Sequence, residues 1–165
     1  MSRAGRRLER FGYAAFRVTP LAIRQRVVRF FKPSFTVGVM AVITRDDGAL
    51  LLVRHSYLDG WAFPGGLINR HERFLEALHR EPLEEVGVAI ELVGEPAVTL
   101  DPEGQIVRIV HRAALAAGVD ATSARPTSQE IIEVKWYPED ALPALLEEAT
   151  TALTALQRTE GYRRA

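Results

Sequence analysis

The sequence predicts an α/β protein, a mixed sandwich of strands and helices that follows a basic helical arm. Short apolar segments rich in β-branched residues occur before and after one helical segment. A second helical pattern near the end of the chain supplies another layer for such a sandwich. The charge of residues 1–32 differs sharply from that of residues 33–165, and we therefore treat the arm and the domain as separate regions.

The composition is that of a globular protein with one domain. The chain has 165 residues, of which 47% are hydrophobic and 25% charged, enough to bury a core of its own. It contains no cysteine, which excludes disulfides, thiolate metal ligands and a thiol nucleophile. Such a composition fits a reducing compartment, and we expect a cytoplasmic protein. The longest apolar run, residues 37–43, is much shorter than the roughly 18 residues of a membrane span.

A net charge of zero conceals a basic arm attached to an acidic domain. Residues 1–32 carry nine basic side chains and one acidic side chain, and residues 33–165 carry an equal excess of acidic side chains. The arm has two short helical patterns separated near Pro20. The apolar stripe of the second pattern consists of Ile23, Val27, Phe30 and Phe31.

The apolar stripe is expected to pack on the domain, which leaves the basic face of the arm in solvent. The alternatives are contact with an anionic membrane or a nucleic acid, and a homodimer interface. The arginine-rich composition also resembles, less closely, that of a targeting peptide.

The domain opens with a predicted β-hairpin. Residues 35–44 (FTVGVMAVIT) and residues 49–55 (ALLLVRH) are its strands, and Asp46-Asp47-Gly48 is typical of the turn between them. A loop at residues 56–60 follows, and then the segment WAFP at residues 61–64.

The second half of the domain contains three more predicted strands and a helix. The strands are residues 88–100, 105–116 and 130–137. A polar loop, residues 118–128, precedes the last of them. Residues 139–158 predict the final helix, with Pro143 in its first turn, where proline is tolerated.

Residues 65–88 (GGLINRHERFLEALHREPLEEVGV) hold the side chains best suited to chemistry. A helix is predicted from Glu72 to a C-cap at Gly87. Within it, Glu81, Glu84 and Glu85 are spaced so that a helix projects three carboxylates from one face. A solvated helix face is the simplest explanation of such a charge run. However, no lysine or arginine follows at the compensating positions, and that favours a bound cation.

Carboxylate oxygens are hard ligands, which suit Mg²⁺ or Mn²⁺ better than zinc. Arg80 lies four residues from Glu76 and from Glu84, so its guanidinium can hold a carboxylate in place. Gly65 and Gly66 allow close approach of the backbone. These parts suit the attack of water on the phosphorus of a phosphoanhydride, with a metal ion neutralising the developing charge.

This stretch resembles the Nudix box, G-x5-E-x7-R-E-U-x-E-E-x-G-U, in which U is a bulky aliphatic residue. Its seven fixed positions are filled by Gly66, Glu72, Arg80, Glu81, Glu84, Glu85 and Gly87. Val88 fills the last U position. A random match of this kind at one register has a probability on the order of 10⁻⁹. The similarity extends to VGVMAVITRDDGALLLVRH, WAFPGG and EIIEVKWYPEDALP.

The resemblance implies a Nudix fold, with a mixed sheet between helices, and hydrolysis of a nucleoside diphosphate linked to another group. It implies that Glu81, Glu84 and Glu85 bind the metal, Mg²⁺ or Mn²⁺, and that Glu84 and Arg80 act in catalysis. Glu72 and Gly87 then support the box. Members of the family often use one more glutamate from outside the box.

Glu130 matches that additional acid best by its position, and Glu133 is the second choice; an exposed strand residue is an equal alternative for Glu130. For substrate binding, the candidates are Gly65, Gly66, Arg54 and Trp61. Trp61 is expected to pack beneath the box loop unless it stacks on a nucleobase. The four histidines have no ligand spacing, so ordinary polar roles are predicted for them.

Two departures from the box motivate alternative functions. Pro82 occupies a U position inside the helix, where proline costs about 3 kcal/mol. Asn69-Arg70-His71 replaces a stretch that commonly contains an acid and a glycine. A catalytically silent module that binds a nucleotide or a partner is therefore one alternative. Another is a pyrophosphohydrolase acting on RNA 5′ ends, with the basic arm holding the RNA backbone.

Overall fold

The structure is a computed structural model that describes Pro20, Ile23, Arg26, Phe30 and residues 34–164, with side chains described through residue 159. Ile23, Arg26 and Phe30 are helical, and the Ile23 N–H donates to the Pro20 carbonyl at 3.0 Å. The other positions of the arm, including Val27 and Phe31, lie outside the described residues. The roles considered for the arm therefore remain predictions. Among the described helices, none combines the length and hydropathy that crossing a bilayer requires.

A six-stranded mixed sheet forms the centre of the domain as described. The strands are β1 Thr36–Thr44, β2 Leu50–His55, β3 Gly65–Leu67, β4 Ile90–Asp101, β5 Ile106–Leu115 and β6 Ile131–Tyr137. Their order is β4-β5-β1-β2-β6, and β3 pairs with β1. β1 is parallel to β5, and the other pairs are antiparallel, which confirms the predicted mixed sheet.

The lead-in to the box passes between β1 and β2. Val53 of β2 pairs with Ala62, and the Ala41 N–H of β1 donates to the Pro64 carbonyl at 2.8 Å. β3 then continues along β1, with Gly66 opposite Val39. The glycine pair is therefore held against the middle of the sheet by backbone hydrogen bonds.

Two helices cover the two faces of the sheet. α1 runs from Phe74 to Val86 and α2 from Glu147 to Arg164. Because successive side chains of a strand point to opposite faces, β1 contributes to both cores. Val39, Ala41 and Ile43 belong to the core cluster that includes α1 residues. Met40 and Val42 belong to the cluster that includes α2 residues. The predicted α/β/α sandwich is confirmed.

The start of the last helix was predicted wrongly. It begins at Glu147 instead of residue 139, and a short 3₁₀ turn, Glu139–Ala141, precedes it. The segment between them is extended, because Trp61 pairs with it: the Trp61 N–H donates to the Ala144 carbonyl at 3.0 Å, and the Leu146 N–H donates to the Trp61 carbonyl at 2.8 Å. Pro143 therefore lies in a connection and not in a helical turn.

α1 begins two residues later than predicted, at Phe74. Arg73 is its N-cap, and the Arg73 N–H donates to Glu76 Oε2 at 3.0 Å. Glu72 stays outside the helix, where its carboxylate accepts the Asn69 N–H at 2.7 Å.

Candidate active site

The two glycines at the start of the box lie so close to their neighbours that no larger residue fits at either position. A side chain at Gly65 would collide with the backbone of Val39 and Met40. A Cβ at Gly66 would lie 2.5 Å from Glu81 Oε1. Real Cβ atoms do not approach that closely, so glycine at both positions lets β3 lie between the sheet and the carboxylates of α1.

Glu85 is the most deeply buried of the three box carboxylates, with 6% of its surface exposed. The Gly65 N–H donates to its Oε2 at 3.0 Å, and His55 Nε2 lies 3.9 Å from its Oε1. Burial raises the pKa of Glu85 to about 8, and the carboxylates of Glu81 and Glu130 add to the rise, whereas the Gly65 hydrogen bond opposes it. The folded domain thus holds a carboxyl group that resists ionisation.

Glu81 and Glu84 lie on the same face of α1, and both pair with the guanidinium group of Arg80. Arg80 Nη1 lies 2.9 Å from Glu81 Oε1 and donates to Glu84 Oε2 at 3.0 Å. Glu81 is buried, and burial raises its pKa although Arg80 opposes the rise. The side chain of Glu84 is 58% exposed, so it is the carboxylate most accessible to a ligand.

Arg80 joins the loop before α1 to the acidic face. Its Nε donates to Glu72 Oε1 at 2.6 Å and its Nη2 to Glu72 Oε2 at 3.0 Å, a fork that fits both carboxylate oxygens. Nη2 also donates to the Leu67 carbonyl at 3.2 Å. These bonds raise the pKa of Arg80, and they lower the pKa of Glu72 to about 2. This geometry suits the orienting role predicted for Arg80 and the supporting role predicted for Glu72.

α1 stays helical through Pro82, which lies on its buried face. Proline has no N–H for the carbonyl four residues earlier, yet Glu81 and Glu85 both remain buried. Gly87 ends the helix in the left-handed conformation, with φ 73°, as its predicted C-cap role requires. The departure at Pro82 therefore leaves the carboxylates on the face where the box predicts them.

The loop before β6 closes the end of α1. The Thr127 hydroxyl donates to the Glu84 carbonyl at 2.7 Å, and its N–H donates to the Glu85 carbonyl at 3.0 Å. The Arg125 N–H donates to the Val86 carbonyl at 3.2 Å. These bonds satisfy carbonyls that a helix end leaves without partners.

Glu130 follows that loop and lies beside the site. Its backbone carbonyl accepts the Ser56 N–H at 2.8 Å, and the Tyr57 hydroxyl donates to its Oε2 at 3.5 Å. Its charge also contributes to the raised pKa of Glu85, as expected for neighbouring carboxylates. Glu133, the second choice, is paired instead with Lys135 and with Arg54, whose Nη1 lies 3.8 Å away. Of the two candidates, Glu130 is the one whose charge acts on Glu85, and its role as the additional acid stays a prediction.

Two predicted substrate contacts point away from the carboxylates. Arg54 lies between Glu133 and Asp59, within 3.9 Å of each. Trp61 packs edge-on against Tyr137, with ring centroids 5.1 Å apart, and Lys135 Nζ lies 5.7 Å from its ring centre. It belongs to the core on the α2 face, so the predicted packing beneath the box loop is wrong. Its pairing with the segment before α2 determines this position.

His55 was missed by sequence reasoning, which predicted an ordinary polar role for it. It is 8% exposed and lies against Glu85, and burial lowers its pKa, with Glu148 and Glu130 opposing the shift. The strand alternation that buries Leu51 and Val53 beside α1 places His55 on the same face. That alternation was the signal available in the sequence.

A cavity of about 780 Å³ lies between the β4–β5 turn and the start of α2. Its lining includes Leu58, Asp101, Gly104, Leu146 and Glu148. Glu148 also accepts a hydrogen bond from Arg108 of β5 and acts electrostatically on His55 and Tyr57. Glu148 therefore connects this cavity electrostatically to His55 and Tyr57, whereas the box carboxylates do not line it.

The donor set of the site fits a hard divalent cation. Glu81 and Glu85 are buried carboxylates whose pKa values are raised, because burial disfavours their charged form. A bound cation would favour the charged form and so offset this effect. Within the part of the chain that the structure describes, no three histidine, aspartate or glutamate side chains converge into a preformed cage. Arg80 Nη1 lies between Glu81 and Glu84, so their carboxylates must turn from it to share an ion.

Comparison with known proteins agrees with this geometry. The sequence profile of the NUDIX domain matches residues 34–157. A MutT-like protein of Streptomyces ambofaciens is 32% identical over 108 residues, which are 66% of this chain and 67% of that protein. The human 8-oxo-dGDP phosphatase NUDT18 is 30% identical over 112 residues, 66% of this chain and 34% of its own length.

An RNA pyrophosphohydrolase of Halorhodospira halophila is 43% identical over 58 residues, 35% of this chain and 30% of that protein. The chain thus spans about a third of the length of two of these three relatives. Among solved structures, a MutT NUDIX hydrolase from Burkholderia pseudomallei has a TM-score of 0.61 and 27% identity, over 74% of this chain and 98% of that one. The profile match extends over most of the chain, and the chain therefore belongs to the Nudix hydrolase family.

Proposed function

We propose that this enzyme hydrolyses a phosphoanhydride bond in a nucleoside diphosphate linked to another group, with Mg²⁺ or Mn²⁺ as cofactor. Hydrolases of this family generally use a divalent metal ion. One observation carries the proposal: α1 buries two carboxylates, Glu81 and Glu85, beside a glycine loop, at a cost that folding alone does not explain. Glu81, Glu84 and Glu85 would hold the ion.

When bound, the ion supplies positive charge for the phosphate oxygens and Lewis acidity for the attacking water. The Gly65 N–H keeps Glu85 in place. Arg80, which pairs with Glu81 and Glu84 in this structure, would release both carboxylates to the ion and keep its fork on Glu72. Glu130 is the candidate general base, since its carboxylate lies beside this face. It accepts the proton of the water as the new P–O bond forms and the bond to the leaving phosphate breaks.

A small nucleotide conjugate is the substrate class that the site supports best. The cavity of about 780 Å³ at the start of α2 is within the usual size range of small-molecule sites. Gly65 and Gly66 are the candidates for contact with phosphate, whereas Arg54 and Trp61 point away from the carboxylates and stay predictions as substrate contacts. The relatives named as an 8-oxo-dGDP phosphatase and an RNA pyrophosphohydrolase give the two ends of the substrate range to test.

The test is phosphate release across a panel of nucleotides and nucleotide conjugates, with Mg²⁺ or Mn²⁺ and a coupled phosphatase. We expect turnover of at least one small substrate. Glu84→Gln and Glu85→Gln should reduce kcat by about 10²-fold or more. Glu139→Gln, at the other end of β6, is the matched control and should leave kcat unchanged. Absence of turnover throughout the panel, or full turnover in both variants, would contradict the proposal.

The RNA alternative requires a 5′-triphosphorylated RNA in the same panel. If the basic arm binds the RNA backbone, affinity must fall steeply with salt and must depend on residues 1–32. We expect instead that RNA is a poor substrate, because the domain carries an excess of acidic side chains. Faster hydrolysis of RNA than of every small nucleotide would favour the alternative.

The silent-module alternative is less well supported, because α1 remains helical at Pro82. Calorimetry would detect tight nucleotide binding without turnover if the protein were such a module. Homodimer formation stays a separate prediction, to be measured by analytical ultracentrifugation.

A further inference from the structure

His55 occupies a position where packing alone would favour an apolar side chain. It is the last residue of β2, on the face that carries Leu51 and Val53 into the core beside α1. With 8% of its surface exposed, its ring has lost most of its contact with water. A buried imidazole costs free energy unless its nitrogens have partners.

The surroundings of the two ring nitrogens differ. Nδ1 has no hydrogen-bond partner among the described residues. Nε2 points toward Glu85 and lies 3.9 Å from Oε1. A neutral imidazole carries one N–H, and placing it on Nε2 directs it at a carboxylate, whereas placing it on Nδ1 would bury an unpaired donor. The surroundings therefore favour the tautomer protonated at Nε2.

This tautomer gives Glu85 a donor on each side. The Gly65 N–H donates to Oε2 at 3.0 Å, and His55 faces Oε1. A shift of about 0.7 Å of either side chain brings His55 within hydrogen-bond range of Oε1. A carboxylate held from two sides keeps one orientation.

Tyr57 connects this pair to the second acid. Its ring is tilted by 51° against the His55 ring, with centroids 5.4 Å apart. Its hydroxyl donates to Glu130 Oε2 at 3.5 Å. Two residues at the end of β2 thus contact both Glu85 and Glu130.

We propose that His55 is a positioning residue for Glu85. Its Nε2–H fixes the orientation of the Glu85 carboxylate, while the Tyr57 hydroxyl holds the Glu130 carboxylate. The inference rests on the proposed function, because it assigns His55 a part in preparing the same site. Removing a donor that orients a metal-binding side chain commonly changes metal affinity by 10- to 100-fold.

The test compares His55→Leu, which has no donor, with His55→Gln, whose amide can reach the position of Nε2. Mn²⁺ affinity of the substrate-free protein is measured by electron paramagnetic resonance, and kcat and KM are measured with the best substrate of the panel. We expect His55→Leu to weaken Mn²⁺ binding and to lower kcat by about tenfold or more, with KM changed less. His55→Gln should recover most of both losses.

Val53→Ala is the matched control, since it removes volume from the same face of the same strand without removing a donor. It should lower the free energy of unfolding and leave Mn²⁺ affinity unchanged. If His55→Leu does not fold, His55→Asn replaces it, because the shorter amide does not reach Glu85. We then expect His55→Asn to show the same loss of Mn²⁺ affinity and of kcat relative to His55→Gln.

Equal Mn²⁺ affinity and kcat in the donor-free variant and the parent would overturn the inference. So would a His55→Gln protein as impaired as the donor-free variant. Failure of the proposed function has a different signature: Glu85→Gln would then bind Mn²⁺ as the parent does, and that result would overturn both.

Discussion

The two helices cover opposite faces of β1 with very different side chains. α2 contributes the buried apolar residues Ala149, Ala152, Leu153 and Leu156. α1 contributes Ala77, Leu78 and Val86. It also buries Glu81 and Glu85, at positions where apolar residues would stabilise the fold more. The α2 face therefore contributes mainly to stability, whereas the α1 face loses part of its stability because it keeps two carboxylates buried.

This difference means that stability and activity can be changed separately in one small domain. Substitutions on the α2 face should alter the free energy of unfolding with little effect on kcat. Substitutions on the α1 face should change both quantities, and in opposite directions for the buried carboxylates. Four measurements, from the largest expected effect to the smallest, test this separation.

Leu156→Ala should give the largest change in stability. Leu156 is 2% exposed, and its truncation should lower the free energy of unfolding by about 3 kcal/mol because a cavity remains in the core. Below the unfolding transition, kcat should stay within about twofold of the parent. Leu83→Ala, on the exposed side of α1, is the control and should cost much less. Urea denaturation and steady-state kinetics measure both; a large loss of kcat at unchanged stability would end the proposed separation.

The stability of the metal-free protein should depend on pH through Glu85. Its pKa is about 8 in the folded state against an ordinary value of 4.5, so between these values the folded state binds the proton that the unfolded chain has lost. Stability from this group is therefore fully present below pH 4.5 and is lost as pH rises toward 8.

We expect a decrease of about 3 kcal/mol between pH 5.5 and pH 8 in the presence of a chelator. Glu85→Gln should lack this decrease and exceed the parent in stability at pH 8. Added Mn²⁺ should remove the decrease in the parent protein. Urea midpoints from pH 5 to pH 9 test this, and identical slopes in parent and variant would show that Glu85 ionises normally.

Pro82→Leu should stabilise the protein by roughly 1–2 kcal/mol, because it restores an N–H inside α1 and fills the U position of the box. Since α1 already holds Glu81 and Glu85 on its buried face, we expect kcat to change less than about threefold. Thermal unfolding and turnover provide the measurements. A rise in kcat of about tenfold or more would show that Pro82 misplaces the carboxylates.

His71→Gly should stabilise by about 0.5–1 kcal/mol. His71 has a φ of 70°, in the left-handed region that favours glycine, at the stretch where the family commonly has one. His71→Ala is the matched control, because alanine pays the same backbone strain, and it should bring no gain. Equal stability of the two variants would show that the strain is relieved in another way.

The first hairpin was predictable to within one residue at the strand bounds, and most of the box helix to within two. Both follow from local patterns: β-branched runs on each side of Asp46-Asp47-Gly48, and a helical repeat ended by Gly87. β3 was not predicted, because two of its three residues are glycines, which have low strand propensity. It forms because the missing side chains let it approach β1.

The errors in the second half have a tertiary cause. The helical pattern of residues 139–146 is overridden by pairing with Trp61, which is distant in sequence. Likewise, the proximity of Glu130 to Glu85 depends on the fold of an intervening loop. The box could be predicted because its residues are local to one helix, whereas the residues around it come from β2, the loop before β6 and α2.

The hydrogen bonds between Thr127 and the end of α1 make the length of the segment from Thr127 to Glu130 important, because this segment helps to determine how far Glu130 lies from Glu85. Thr127 is fixed to the carbonyls of Glu84 and Glu85, and Glu130 follows three residues later, within a reach of roughly 10 Å. A movement of the last turn of α1 therefore acts on the Thr127 end of this interval, while the Ser56 N–H holds the Glu130 end. An inserted or deleted residue in this short interval would change the separation of the acids while leaving the sheet and both helices intact. The length of this segment is therefore constrained, and sequence variation that suits different substrates is better accommodated in the loop before Thr127 than after it.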